Sequence, residues 1–162
     1  MHKQIPLNAM ENNKKAKYEE LLQGLRALIA GEDDAVSVMA NVCAAVHEAM
    51  SFFWTGFYLW REGELRLGPF QGSVACMHIG AGRGVCGAAL ERRETLVVPD
   101  VERFPGHIAC SSLSRSEIVV PMYAPDGRPL GVLDVDSDRL NTFDATDAYY
   151  LKQIADLVAP LL

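Results

Sequence analysis

Between Trp54 and Asp136 the chain gathers three of its four cysteines, two of its four histidines and an acid pair of the D-x-D kind. Cys110 stands beside Ser111, Ser112 and Ser114, with His107 and Arg115 close in sequence. Hydroxyl donors and positive charge favour a thiolate, the nucleophilic form of cysteine. Cys76 precedes Met77-His78, and Cys86 follows the glycine-rich run Gly80-Ala81-Gly82-Arg83-Gly84-Val85. One reactive thiol can attack a substrate and a second can resolve the oxidised product as a disulfide, so the set points to thiol redox chemistry. Packing residues are the blander reading, since a free cysteine often behaves as a small hydrophobe. Zinc is a third, because Cys76, His78, His107 and Cys110 are of ligand type, although no C-x-x-C knuckle is present.

Asp134 and Asp136 sit two apart on a strand-like run, so they share a face. A symmetric turn centred between Asp126 and Gly127 places Glu117 opposite Asp136 and Val119 opposite Asp134, which crowds three acids into one patch. Carboxylates that close force at least one to stay protonated at higher pH than usual, giving a site that can hold a cation and supply a proton. A solvated face is the alternative. A three-residue turn would shift the register and send Glu117 to the other side.

The elements that must position these groups are legible from periodicity. Apolar residues recur at helical spacing over 14–30, closed by Gly31, and again after Asp33-Asp34, where Cys43 falls on or beside the apolar stripe and reads as packing. Residues 53–60 and 64–70 form a hairpin around Glu62-Gly63, and 71–83 reads as an irregular loop. A short helix over 85–92 carries Cys86 in its first turn, where the helix dipole and Arg83 are expected to stabilise its thiolate. The same glycines lack the Lys-Ser/Thr ending of a nucleotide loop, and no parallel strand-helix-strand unit surrounds them. A strand at 96–98 stops at Pro99-Asp100, and a polar loop then carries Cys110. Strands over 117–122 and 130–135 flank Asp126-Gly127, with Pro121 removing one ladder donor. A last helix starts near Thr142 or Asp144.

Bulk properties exclude several function classes. The 162 residues fit one domain, and a formal charge of -6 argues against nucleic acid or anionic lipid as a partner. Neither a signal peptide nor a membrane span is expected, so the thiols are assigned to the reducing cytoplasm. Residues 1–13 read as a mobile N-terminal extension and 14–162 as a single α+β domain.

On several motifs the chain resembles the free methionine-(R)-sulfoxide reductases, stand-alone GAF domains. They are Trp54-Thr55-Gly56-Phe57-Tyr58, Gly68-Pro69-Phe70-Gln71-Gly72, Gly82-Arg83-Gly84-Val85-Cys86-Gly87, His107-Ile108-Ala109-Cys110-Ser111-Ser112, Ser114-Arg115-Ser116-Glu117 and Gly131-Val132-Leu133-Asp134-Val135-Asp136-Ser137. The resemblance implies a central antiparallel sheet of about six strands flanked by helices. By the same resemblance Cys110 is the nucleophile, Cys76 the resolving thiol and Cys86 an alternative resolving thiol. Trp54 packs against the substrate methyl group, while Glu117, Asp134 and Asp136 bind its amino group and sulfoxide oxygen. Free L-methionine-(R)-sulfoxide is then the substrate, no metal or organic cofactor is required, thioredoxin is the external reductant, and the protein is a homodimer. A GAF module that binds a small ligand and signals without catalysis is the rival reading, and it leaves the cysteines idle; a scaffold domain predicts no thiol reactivity.

Overall fold

Chain order in the computed structural model, which describes residues 7–162 and side chains from residue 12 onward, is α1 (Leu7–Ile29), α2 (Ala35–Met50), β1 (Trp54–Arg61), β2 (Glu64–Gln71), β3 (His78–Gly80), α3 (Gly84–Arg92), β4 (Leu96–Val98), β5 (Ser116–Tyr123), β6 (Pro129–Ser137) and α4 (Ala145–Val158). Six strands make one sheet in the order β3-β2-β1-β6-β5-β4, with every adjacent pair antiparallel. This is the α+β architecture expected from the sequence.

Strand alternation sorts the side chains between two faces. One face presents Phe57, Ile118, Val120, Leu133 and Val135 to the apolar stripes of α1, α2 and α4. Tyr18, Leu21, Leu22 and Leu25 supply the α1 stripe, and Val38, Val42, Cys43 and Val46 that of α2. Cys43 is fully buried there, its thiol donating to the Pro69 carbonyl at 3.4 Å, as a packing residue would. The other face presents Tyr58, Leu65, Val119 and Val132 to Val85, Ala89 and Leu90 of α3. A single helix cannot cover a six-stranded sheet, so loops complete the second layer.

Two boundaries differ from expectation. Helix α1 begins at Leu7 rather than Lys14, so residues 7–13 belong to its first turns; no glycine or proline between Leu7 and Lys14 interrupts it. Residues 1–6 lie outside the described residues. Within the expected irregular loop 71–83, His78–Gly80 joins the sheet edge as β3, pairing Leu65 with Ile79. Only Ile79 of its three residues is buried, too little for a period to be read.

The β5–β6 hairpin sets the register on which the acids depend. Its turn is the three-residue kind, with the Ala124 N–H donating to the Arg128 carbonyl and Gly127 at φ +87°. That turn alone would send Glu117 to the wrong face. A bulge between Met122 and Tyr123, opposite Leu130, returns the missing residue, so Met122 pairs Gly131 and Glu117 pairs Asp136. Gly131, at φ +153°, lies hard against the Tyr58 and Leu59 backbone of β1, where no side chain fits. Strand β4 ends opposite Val119, so the ladder on that side stops before Pro121, as its missing donor requires.

Asp147 fastens α1 to α4. Its carboxylate is fully buried and accepts from Tyr18 Oη at 2.6 Å, Lys14 Nζ at 2.7 Å and the Asp144 N–H at 2.9 Å. The last of these completes a capping box with Asp144 at the start of α4. Tyr18 also stacks on Tyr150, ring centroids 5.0 Å apart. Replacing Asp147 by Ala strands a buried hydroxyl and an ammonium and opens the cap. It is expected to lower stability in urea unfolding by about 3 kcal/mol, against a smaller loss for Asp147→Asn, which keeps a side-chain acceptor.

Candidate functional site

The candidate site lies on the α3 side of the sheet. Trp54 of β1 pairs Asp136 of β6, and Asp136 pairs Glu117 of β5, so these three occupy one row across the strands. Asp134 stands in the next row of the same face, between Gly56 and Val119. The crowding of the three acids follows from register, as the sequence suggested. Glu117 and Asp134 are each 6 % exposed, and Asp136 is half-buried.

Burial first, and then the charges of Asp134 and Asp136, push the Glu117 carboxyl well above the usual carboxylate range. Burial does the same to Asp136, reinforced by Asp134. Asp134 is pushed up to about 7 by burial, against hydrogen bonds with Glu117 and Cys86 that hold it lower. One Asp134 carboxyl oxygen is buried with no hydrogen-bond partner in the protein. A buried orphan acceptor is unfavourable by itself and suits a site that receives a donor from outside.

Trp54 is fixed as one wall. Its indole N–H donates to the Ser73 carbonyl at 3.0 Å, and its ring stacks on Phe70 and Tyr58 with centroids 5.2 and 5.9 Å away. Two glycines leave it room: a Cβ on Gly56 would lie 2.6 Å from the indole Cζ3, and one on Gly72 2.6 Å from Cδ1. Tyr58 is a wall residue that the sequence reading left out; its hydroxyl donates to the Cys76 carbonyl at 2.9 Å, tying the cysteine loop to the sheet. The available signal was its place four residues after Trp54, on the same strand and face.

Cys76 and Cys110 are joined as a disulfide, with Cα atoms 5.3 Å apart, although 34 residues separate them. Cys110 lines the pocket together with Ile108, Ser111 and Ser114. Ile108 packs against Gly84, where a Cβ would meet it at 3.3 Å, and so holds the Cys110 loop to the N-terminus of α3. The Val101 N–H donates to the Arg115 carbonyl and the Arg115 N–H to the Ser137 carbonyl, pinning the ends of that loop to β6. Two of the residues considered as zinc ligands are thus bonded to each other.

Cys86 departs from expectation. It lies in the first turn of α3 behind Arg83, yet its thiol is pushed well up by burial first and then by the charges of Asp134, Glu117 and Asp136. The helix dipole and one exposed arginine are outweighed, because the thiol is only 4 % exposed and faces acids. Its sulfur and one carboxylate oxygen each from Glu117 and Asp134 lie within 4.8 Å of one another. Cys86 is a free thiol, buried beside the acids.

The chain matches other proteins over most of its length. A family profile described as the GAF domain covers residues 32–162. GAF domain-containing protein A of Dictyostelium discoideum is 54 % identical over 153 residues, spanning 94 % of this chain and 96 % of that protein. The free methionine-R-sulfoxide reductase of Saccharomyces cerevisiae is 41 % identical over 154 residues, 90 % of this chain and 86 % of that one. Among solved structures, the free methionine-R-sulfoxide reductase of Neisseria meningitidis in complex with its substrate superposes with a TM-score of 0.89 at 51 % identity, covering 91 % of this chain and 89 % of that one. Likeness of this extent reaches past the shared fold, and the chain belongs to the GAF domain family and, within it, to the free methionine-R-sulfoxide reductases.

Proposed function

We propose that the protein reduces free L-methionine-(R)-sulfoxide to L-methionine, with Cys110 as nucleophile and Cys76 as resolving thiol. The observation that carries this is a disulfide at the edge of a pocket lined by three carboxyl groups of one sheet face, two of them buried and one half-buried. In the reduced enzyme the Cys110 thiolate attacks the sulfoxide sulfur while a protonated acid of the cluster gives its proton to the oxygen. The substrate S–O bond breaks and the hydroxyl passes to Cys110 Sγ, so the substrate sulfur gains two electrons, methionine leaves, and Cys110 becomes a sulfenic acid. Cys76 displaces it as water, so two thiols have become one disulfide. An external dithiol, thioredoxin in this reading, restores both.

The acids serve substrate and reaction together. An incoming ammonium group favours ionised carboxylates and supplies the donor that the orphan Asp134 oxygen lacks. A methionine sulfoxide inside a polypeptide has no ammonium to offer, which accounts for preference for the free amino acid. Trp54 gives an apolar wall for the methyl group, and that contact sets the preferred epimer. Cys86 is a poor competitor to Cys76 because its thiol is held protonated among the acids. No metal or organic cofactor enters the scheme. The reading also takes the cytoplasm as the site of action and a homodimer as the assembly.

Thiol counting on the reduced protein separates catalysis from ligand sensing. With free methionine-(R)-sulfoxide and no reductant, the wild type should lose two thiols per chain; unchanged thiols would leave only the sensor reading. Cys76→Ser should release one equivalent of methionine and then stop, and Cys110→Ser should release none.

Proton donation by the cluster also fixes a direction with pH. The reactive form pairs a Cys110 thiolate with a protonated acid, and Glu117 is the acid that burial and its neighbours push well above the usual carboxylate range; once Cys110 is ionised, single-turnover rates should therefore fall on the alkaline side as Glu117 loses its proton. Glu117→Gln should slow the single turnover by about 100-fold or more and flatten that limb. A wild-type rate that climbs to a plateau with no falling alkaline limb would place the proton donor elsewhere.

A further inference from the structure

The two segments that carry the disulfide share an exposed apolar and basic character. Met77, next to Cys76, is 71 % exposed, and Leu113, three residues past Cys110, is 61 % exposed. With Val74 at the pocket edge, they are three of the eight large apolar side chains exposed among the described residues. Segments 71–83 and 105–116 also contain Arg83 and Arg115 but no aspartate or glutamate, in a chain of net charge -6. Neither guanidinium makes an ion pair among the described residues. His78, by contrast, is taken up by Glu64 at 2.8 Å.

The disulfide brings the segments that carry these residues close together. The two cysteine Cα atoms are 5.3 Å apart; Met77 lies one Cα step of about 3.8 Å from Cys76, and Leu113 at most about 11 Å from Cys110. Their separation is therefore at most about 20 Å, inside the roughly 30 Å span of an interface burying about 800 Å² per partner. Disulfide exchange requires an incoming thiolate to touch one sulfur, so any protein reductant must cover the residues around it. Exposed apolar side chains gain from that cover, and an unpaired basic rim selects an acidic partner and speeds its approach.

We propose that Met77 and Leu113, rimmed by Arg115, form the docking face for a protein dithiol reductant that presents an apolar, acid-rimmed surface around its own cysteine pair. This rests on the redox role given above to Cys76 and Cys110. The partner thiolate attacks one sulfur of the Cys76–Cys110 bond, a mixed disulfide forms, and the other enzyme sulfur leaves as thiolate. The partner's second thiol then breaks the mixed disulfide. Two electrons and two protons pass to the enzyme, and the partner is left as a disulfide.

The test follows reduction of the isolated oxidised protein by two probes, reduced thioredoxin and dithiothreitol, and reads the appearance of enzyme thiols. Val74 and Arg83 line the pocket, so the variants are confined to Met77→Ser/Leu113→Ser and Arg115→Glu. The double variant should lower the second-order rate with thioredoxin about tenfold and leave the dithiothreitol rate near wild type. The wild-type thioredoxin rate should fall with added salt, and Arg115→Glu should lower that rate and weaken its salt dependence. An unchanged thioredoxin rate in the double variant, or equal losses with both reductants, would overturn the docking face. Sulfoxide turnover plays no part in this readout, so a failed sulfoxide assay would sink the proposed substrate while leaving the docking result to stand or fall alone.

Discussion

Three carboxyl groups held on one face of two neighbouring strands dominate the energetics of the site, because burial and mutual repulsion both oppose their ionisation. The hairpin holds them there through a three-residue turn and a compensating bulge. Glycine at 131 is what lets the bulged strand stay against β1. The opposite sheet face, closed by three helices and rich in aliphatic and aromatic side chains, supplies apolar burial that offsets the unfavourable arrangement. Stability and chemistry are thus divided between the two sides of one sheet.

The same field explains where the cysteines stand. A thiolate placed beside buried carboxylates is disfavoured, and Cys86 shows it: burial and acid charge overwhelm its helix terminus. A reactive thiol has to approach the acids from outside their immediate field. Cys110 and Cys76 do so on the segments 105–116 and 71–83, which contain no carboxylate, anchored by Ile108 against Gly84 and by the Tyr58 hydroxyl on the Cys76 carbonyl. Cys110 and the three acids thus line one pocket from different segments of the chain.

Periodicity made the three long helices, the two hairpins and the shared face of Asp134 and Asp136 legible, because each rests on local spacing. The Glu117 pairing was reached with the right register but the wrong turn; the bulge opposite Leu130 restored a sum that the turn had broken. Bulges leave little local trace, although the glycine at 131 is consistent with one. Cys86 was misjudged because its charge state depends on residues 31 to 50 positions away in sequence, brought beneath it by packing. β3 escaped detection because three residues are too few for a period. Tyr58 was readable as strand, but its link to Cys76 requires the loop's folded path. The cysteine and acid residues were visible as types, and the family resemblance, rather than spacing, supplied the pairing of Cys76 with Cys110.

Redox state and pocket architecture are coupled through the disulfide. In the oxidised chain the bond ties the Cys110 segment to the Cys76 segment, and both border the space above the acids. Cutting the bond removes the one covalent link between two segments that are 34 residues apart in sequence, while the hydrogen bonds of Arg115 and Val101 and the Ile108–Gly84 contact still hold the base of the Cys110 loop. Those base contacts and the strand register beneath them involve neither sulfur, so both are independent of whether the bond is made.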